Sequence, residues 1–470
     1  SHAQARGEVS SCFDGVKDKL IVSEPDAEYF KNIEIYYGED TDVRKERLSK
    51  PVEPQMREMA YEKVSRKPLS LQLKTDVQDY QRDNILRKLL CIADGFVSSR
   101  RVVYYVGKKT LTNREEKVAS FGGNILKNGY HHGEASIYGT ITMMAQGLPG
   151  ARNFPVLLPL GIYGNRKFGY ADYGQPRYIC TEFNARLMNK MFRAEDEYLY
   201  PYETVDGEIF GPKYYISIIP RVLLENEHMP ATGWMIHIHA RDWRHIMEVV
   251  RKMIKGEYKK SPPLKPDQQF NKCEIRDVKK KKGKAKQYYV AKYVHFVQDG
   301  LDCIKITELP PDMASNTLAN GSETDQKNEN YGYSSDPLVE DVMDNTTNEQ
   351  INLTIKLKPG SLKHIEEKYG DEDFDAIESY FGLKSPINHH LNLTSIEGEV
   401  VSFESYEHIM DMWFDLRKKT YGDRLKHEEI LTLAQIDMLE NLQRFNREYK
   451  EYGISNQTTI EQCEKILEEK

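Results

Sequence analysis

Hydrophobic and polar positions change period several times along the chain, and each change marks a different kind of element. Residues 1–70 are charged and weakly periodic, with "KPVEPQ" reading as a linker. In "TDVQDYQRDNILRKLLCIAD" the apolar positions Ile85, Leu86, Leu89 and Leu90 recur at helical spacing, and Asp76 is placed to cap that helix. "REEKVASFGGNILKNG" and "GEASIYGTITMMAQG" predict two more short helices separated by a Gly and His turn, a helix-turn-helix cadence. From Pro155 to Glu182 short apolar runs are broken by Gly, Asn and Pro, which predicts strands and exposed loops. A helix-turn-helix followed by a small hairpin is the winged-helix plan.

Beyond it, "YYISIIPRVLLE" and "GWMIHIHA" read as strands, and "DWRHIMEVVRKMIKG" as an amphipathic helix capped by Asp242 and closed by Gly256. Strands such as "QYYVAKYVHFV", "DCIKITEL" and "QINLTIKL" then alternate with polar loops to about residue 400. After Ser405 the pattern is almost wholly helical. Leu431, Met438, Phe445 and Tyr452 repeat every seven residues, with Leu442 and Tyr449 between them and Gln435 in one core slot, an apolar seam of coiled-coil type that suggests a dimer contact. The expected fold class is α+β and multidomain: a winged-helix unit over 71–195, a mixed α/β unit over 196–404 and helices over 405–470.

Composition narrows the class. With 470 residues, 39% of them hydrophobic, the chain can bury two or three cores. No stretch approaches the ~18 consecutive apolar residues of a membrane span, and no basic-then-apolar signal opens the chain, so no membrane partner is expected. Six scattered cysteines without a CxxC pair argue against a zinc ribbon or disulfide framework and for a reducing, intracellular compartment. The net charge of −7 does not suggest a nucleic-acid binder, yet between Asp94 and Lys127 the cations Arg100, Arg101, Lys108, Lys109, Arg114, Lys117 and Lys127 outnumber the acids.

Four clusters could carry chemistry. "DGFVSSRRVVYY" pairs Arg100 and Arg101 at a helix start, and the local positive excess points to phosphate contact. "YHHGE" offers His131 and His132; adjacent histidines chelate poorly, but His132 can donate to a phosphate oxygen. "LGIYGNRKFGYADYGQPRY" is a glycine-rich loop carrying Arg166 and Lys167 into the pair Arg177 and Tyr178. "HMPATGW" sets Met229 and Pro230 at a tip between strands, residue types that pack or wedge between base pairs. Two further patterns compete with these. "DEDFD" has metal-like acid spacing but precedes a helix whose N-terminus favours acids. "HIH" puts His237 and His239 on one strand face, as in metal-dependent tyrosine nickases. The lysine run Lys279–Lys286 reads first as a solvated hairpin tip.

In this order the clusters resemble the DNA breakage and reunion core of type IIA DNA topoisomerases, eukaryotic branch, over most of residues 70–452. The divergence between motifs is most like the enzymes of large cytoplasmic DNA viruses such as African swine fever virus. The resemblance implies a winged-helix DNA gate, a tower domain and a C-terminal coiled-coil gate, acting on double-stranded DNA as a homodimer. It implies Tyr178 as nucleophile, assisted by Arg177, Arg101 and His132, and duplex contacts from Arg100, Lys108, Lys109, Lys117, His131, Arg166, Lys167 and the wedge Pro230. Val97 and Val102 stand where the family has lysines, and Pro230 where it has isoleucine. Mg²⁺ and ATP belong to further domains of such enzymes. No glutamate-plus-DxD strand and no ATP loop is found here, so the chain reads as a core fragment that cleaves poorly alone, with Mg²⁺ held elsewhere. The host cytoplasm is the expected location of a viral version, the nucleus that of a cellular one. A histidine-metal nickase and a non-catalytic winged-helix binder are the alternatives.

Overall fold

The computed structural model describes residues 21–22, 24–61, 66–128, 130, 132–151, 154–205, 208–267, 272–278, 286–321, 332–454 and 458–469. Residues 24–61 are not a linker. Asp26 accepts from Tyr29 N to start the helix Ala27–Tyr37, and Asp40 caps Thr41–Ser49 in the same way. Tyr36 and Leu48 are buried, and Tyr36 OH meets Gln78 Oε1 at 3.3 Å. Part of what reads as linker charge is helix capping.

The following helix begins earlier than its periodicity predicts. It runs from Leu69 to Leu86 with a π-helical turn at Leu73–Val77, so Asp76 lies inside it rather than at its cap. Three helices then cross: Ser98–Thr110, Val118–Lys127 and Glu134–Ala145. The last two approach so closely that a Cβ on Gly122 would fall 2.4 Å from the Tyr138 ring. A three-stranded antiparallel sheet closes this layer in the order Glu116–Lys117, Cys180–Phe183, Leu157–Leu160, and the hairpin Tyr163–Asn165 with Gly169–Tyr173 projects from it.

"YYISIIPRVLLE" is not a strand. Tyr215 and Ile216 bond to Asp94 Oδ2 and Tyr200 OH instead of to a sheet, and Arg221–Leu224 forms a 3-10 turn. A second hairpin, Glu227–Pro230 with Met235–Ile238, precedes the helix Trp243–Ile254, which Asp242 caps and Gly256 (φ +77°) ends as the sequence predicts. The middle region holds a four-stranded antiparallel sheet in the order Lys292–Gln298, Leu301–Glu308, Leu353–Leu357, Val339–Asp344. Its core, built around Ile304, Ile306, Leu353, Ile355 and Leu383, is separate from the larger one. That larger core runs from Tyr36 to Leu264 and is rejoined by Leu391–Trp413. From there the 43-residue helix Tyr406–Glu448 leaves the body, exposing Leu431, Met438, Leu439 and Leu442.

Candidate active site and duplex groove

Tyr178 sits in a tight turn. Its N–H donates to Gln175 O at 2.8 Å, and buried Ile179 anchors the turn from below. The start of the Val118–Lys127 helix pins the turn from the side: Ala119 N–H donates to Pro176 O and Val118 N–H to Ile179 O, both at 3.0 Å. Strand register sets exposed Lys117 opposite Cys180. The result is a phenol that is 69% exposed, with the Arg177 guanidinium 4.9 Å from its ring centroid. Core tyrosines of this chain look different. Tyr163 is buried with its hydroxyl on Cys180 O, and burial pushes its ionisation well above the ordinary phenol value.

A groove of about 650 Å³ lies nearby, lined by Asn84, Arg87, Ser98, Arg101, His132 and Met229 among others. Arg87 Nη1 donates to His132 Nε2 at 3.3 Å, and the Tyr130 ring meets the imidazole edge-on at 5.1 Å. Arg101 is held by Asp94 through Nε (2.7 Å) and Nη2 (3.2 Å). Burial works against the Arg101 charge, but fully buried Asp94 outweighs it and raises the guanidinium pKa. Asp94 also accepts from Phe96 N and Tyr215 N, and Gly95 (φ +65°) turns the chain there against Val222, where no Cβ would fit. His132 and Arg101 therefore share one groove. Tyr178 does not line it; Arg177 lines a neighbouring cleft with Ala119, Tyr138 and Tyr173, and Ala135 borders both.

Sequence reasoning misses Arg87, which precedes the basic stretch that opens at Asp94. It falls in "ILRKLL", where helical periodicity draws attention to the leucines and not to the cation among them.

Several expected duplex contacts are engaged elsewhere. Arg100 is buried and paired with Glu227 at 2.5 Å, which ties the helix to the second hairpin at the wall of the groove. Lys108 pairs with Glu197, and Lys109 lies over the Tyr105 ring at 3.9 Å. Arg166 is buried against Glu308 and Leu309 O, and Lys167 reaches Asp344, so this basic pair docks the first hairpin onto the four-stranded sheet. Pro230 is exposed at the tip of the second hairpin, as a wedge requires. His131 and most of the Lys279–Lys286 run lie outside the described residues.

His237 and His239 do share a face, but His237 stacks on His228 and His239 meets His389 edge-on, so the rings do not converge on a point. Asp371 accepts from Asp373 N and Phe374 N, and Asp375 caps the helix Ala376–Tyr380 in a capping box. Among the described residues no group of three or more His, Cys, Asp or Glu side chains is arranged to hold a metal ion, and no helix is long and apolar enough to cross a membrane.

Comparison with known proteins decides the family. The family model for the A subunits of DNA gyrase/topoisomerase IV matches residues 87–466. The chain belongs to the type II DNA topoisomerase family. It is 30% identical over 455 residues to DNA topoisomerase 2 of African swine fever virus (strain Badajoz 1971 Vero-adapted), covering 93% of this chain and 37% of that relative. DNA topoisomerase 2 of Bombyx mori is 30% identical over 370 residues, 77% of this chain and 22% of the relative. The chain thus spans little more than a third of the viral relatives it matches. Its mixed α/β fold is similar to that of the Plasmodium falciparum topoisomerase II DNA-binding, cleavage and re-ligation domain, with a TM-score of 0.77 over 96% of this chain and 59% of that one, at 23% identity.

Proposed function

We propose that this chain is the DNA-binding and cleavage core of a type II DNA topoisomerase, with Tyr178 as its nucleophile. One observation carries the reading: in a chain of this family, Tyr178 is exposed on a pinned turn with a guanidinium against its ring, while the chain's core tyrosines are buried. In these terms the three crossed helices with their sheet and projecting hairpin form a winged-helix gate, the four-stranded sheet belongs to a tower, and the long helix is the coiled-coil arm.

The reaction is transesterification. The Tyr178 phenolate attacks a backbone phosphorus in line, the P–O3′ bond breaks, the 3′ oxygen leaves with a proton, and a 5′-phosphotyrosyl ester forms. Reversal by the 3′ hydroxyl restores the duplex and the free phenol. Arg177, beside the attacking phenol, is placed to stabilise the extra charge that builds on the phosphorane oxygens. Arg87, Arg101 and His132 form a second donor set in the groove, suited to hold the duplex backbone. Among the described residues no group of three or more His, Cys, Asp or Glu side chains is arranged to hold Mg²⁺.

A double-strand break requires two tyrosines, hence two chains about a twofold axis. An intracellular site of action fits a duplex substrate and five described cysteines that form no disulfide. The test is adduct trapping with this chain, alone or joined to the segments its relatives carry beyond the matched region. Denaturation after incubation with Mg²⁺ and duplex should leave DNA covalently attached, and Tyr178→Phe should abolish attachment while retaining duplex binding. Attachment surviving that substitution would refute the assignment. A histidine-metal nickase, by contrast, requires dependence on His237 and His239.

A further inference from the structure

Beneath the exposed Pro230 tip, five histidines from two parts of the chain are gathered. His228 and His237 face each other across the second hairpin with ring centroids 4.4 Å apart and planes 22° from parallel. His237 lies 4.7 Å from His239, and His239 lies 5.6 Å from His389. His237 and His390 exchange both backbone hydrogen bonds, at 2.9 and 3.0 Å, which joins the hairpin to the segment leading into the long helix.

The hydrogen bonds suit neutral rings. His239 Nε2 donates to Asn388 O at 3.2 Å, which leaves Nδ1 to accept from Tyr289 OH at 3.4 Å. Tyr406 OH accepts from His239 N–H at 3.1 Å and meets His389 Nδ1 at 2.9 Å, where a neutral ring accepts the hydroxyl proton. The charged neighbours divide unequally: Arg241, 3.8 Å from the Tyr406 ring centroid, opposes added positive charge, and Asp312 is the one acid that favours it on His237. Burial, then His228 and His390, bring the His237 pKa down to about 4. Burial, then His237, His389 and Arg241, bring His239 to about 3, and burial followed by Arg241 brings His389 to about 4.

We propose that this imidazole ladder holds the base of the Pro230 hairpin against the foot of the long helix, where His239 N–H meets Tyr406 OH, and that protons taken up by the ladder release it. The ladder acts through Pro230, so the proposal rests on the reading of Pro230 as a wedge that bends the duplex. Once the hairpin leaves the segment 388–391, the rings regain water and their ordinary basicity, so acid favours the released state.

Amide exchange at His237 and His390, corrected for intrinsic rates, measures the release without DNA. Between pH 7.5 and 5.5 protection should fall by up to roughly tenfold per pH unit for each imidazole that binds a proton only on release. The bend angle of an end-labelled duplex should fall in step. His237→Gln should flatten both profiles. His389→Gln, which removes another imidazole held below its ordinary basicity, should lower the slope as well. Protection independent of pH overturns the proposal, as does falling protection with an unchanged bend. A duplex left straight already at pH 7.5 overturns the wedge reading and the proposal with it.

Discussion

Three arginines stand at or below the groove, and their partners decide what each can do. A guanidinium has five donors in a fixed fork. Arg101 gives Nε and one Nη2 bond to Asp94, which aims the remaining donors, while Arg100 is spent on Glu227 in the interior. Asp94 is thus the residue that orients Arg101, and Asp94→Ala leaves a poorly solvated cation behind. Stability should fall by about 3–5 kcal/mol, read from urea unfolding. Arg87→Ala removes the donor to His132 Nε2. Duplex affinity should fall a few-fold, with adduct formation at saturating duplex little changed, checked by a binding titration beside single-turnover cleavage. In the sequence, Arg100, Arg101, Arg166 and Lys167 are all equally good candidates for phosphate contact. Which of them turn inward depends on Glu227, Glu308 and Asp344, acids more than a hundred residues further along the chain that no local pattern connects to them.

At the scale of elements, legibility follows local signals. The helix Trp243–Ile254 carries its own cap and stop, and it forms where those signals place it. The Leu69–Leu86 helix starts early because Pro68 opens it and a π turn absorbs the irregular spacing, neither of which alters the apolar period downstream. "YYISIIPRVLLE" has strand composition but lacks a strand neighbour, so its backbone bonds to side chains instead. The histidine-rich hairpin is legible as a strand with two imidazoles on one face, but its partners His389 and His390 come from a segment far along the chain, beyond the four-stranded sheet. Its depressed imidazole pKa values make a prediction for the whole fold. The unfolded chain binds protons below about pH 6.5 and the folded chain only near 3–4, so stability should be constant above pH 7 and decline as pH falls from 6.5 toward 4. Calorimetric Tm values at pH 7.5 and 5.0 check this, with a higher Tm at pH 7.5. His237→Gln should narrow the gap.

For the whole molecule, two large cores give two bodies of different character, and the long helix leaves the larger one with an exposed apolar face. The heptad pattern anticipates that helix but overruns it: the helix ends at Glu448, so Tyr452 falls in the turn beyond. Apolar positions Leu431, Met438 and Leu442 exposed along one element are costly in water and are the face expected to meet a second chain. Sedimentation equilibrium at micromolar concentration should give a dimer, and the paired substitution Leu431→Glu and Met438→Glu should give a monomer with unchanged helix content.

The central claim is that one tyrosine out of 30 attacks DNA. The direct measurement is to trap the covalent complex on end-labelled duplex, digest the protein, and sequence the peptide bearing the nucleotide. The account predicts that the nucleotide is on Tyr178, within "GQPRYICTEF", linked to the 5′ side of the break. A nucleotide on any other residue, or a 3′ linkage, would contradict it.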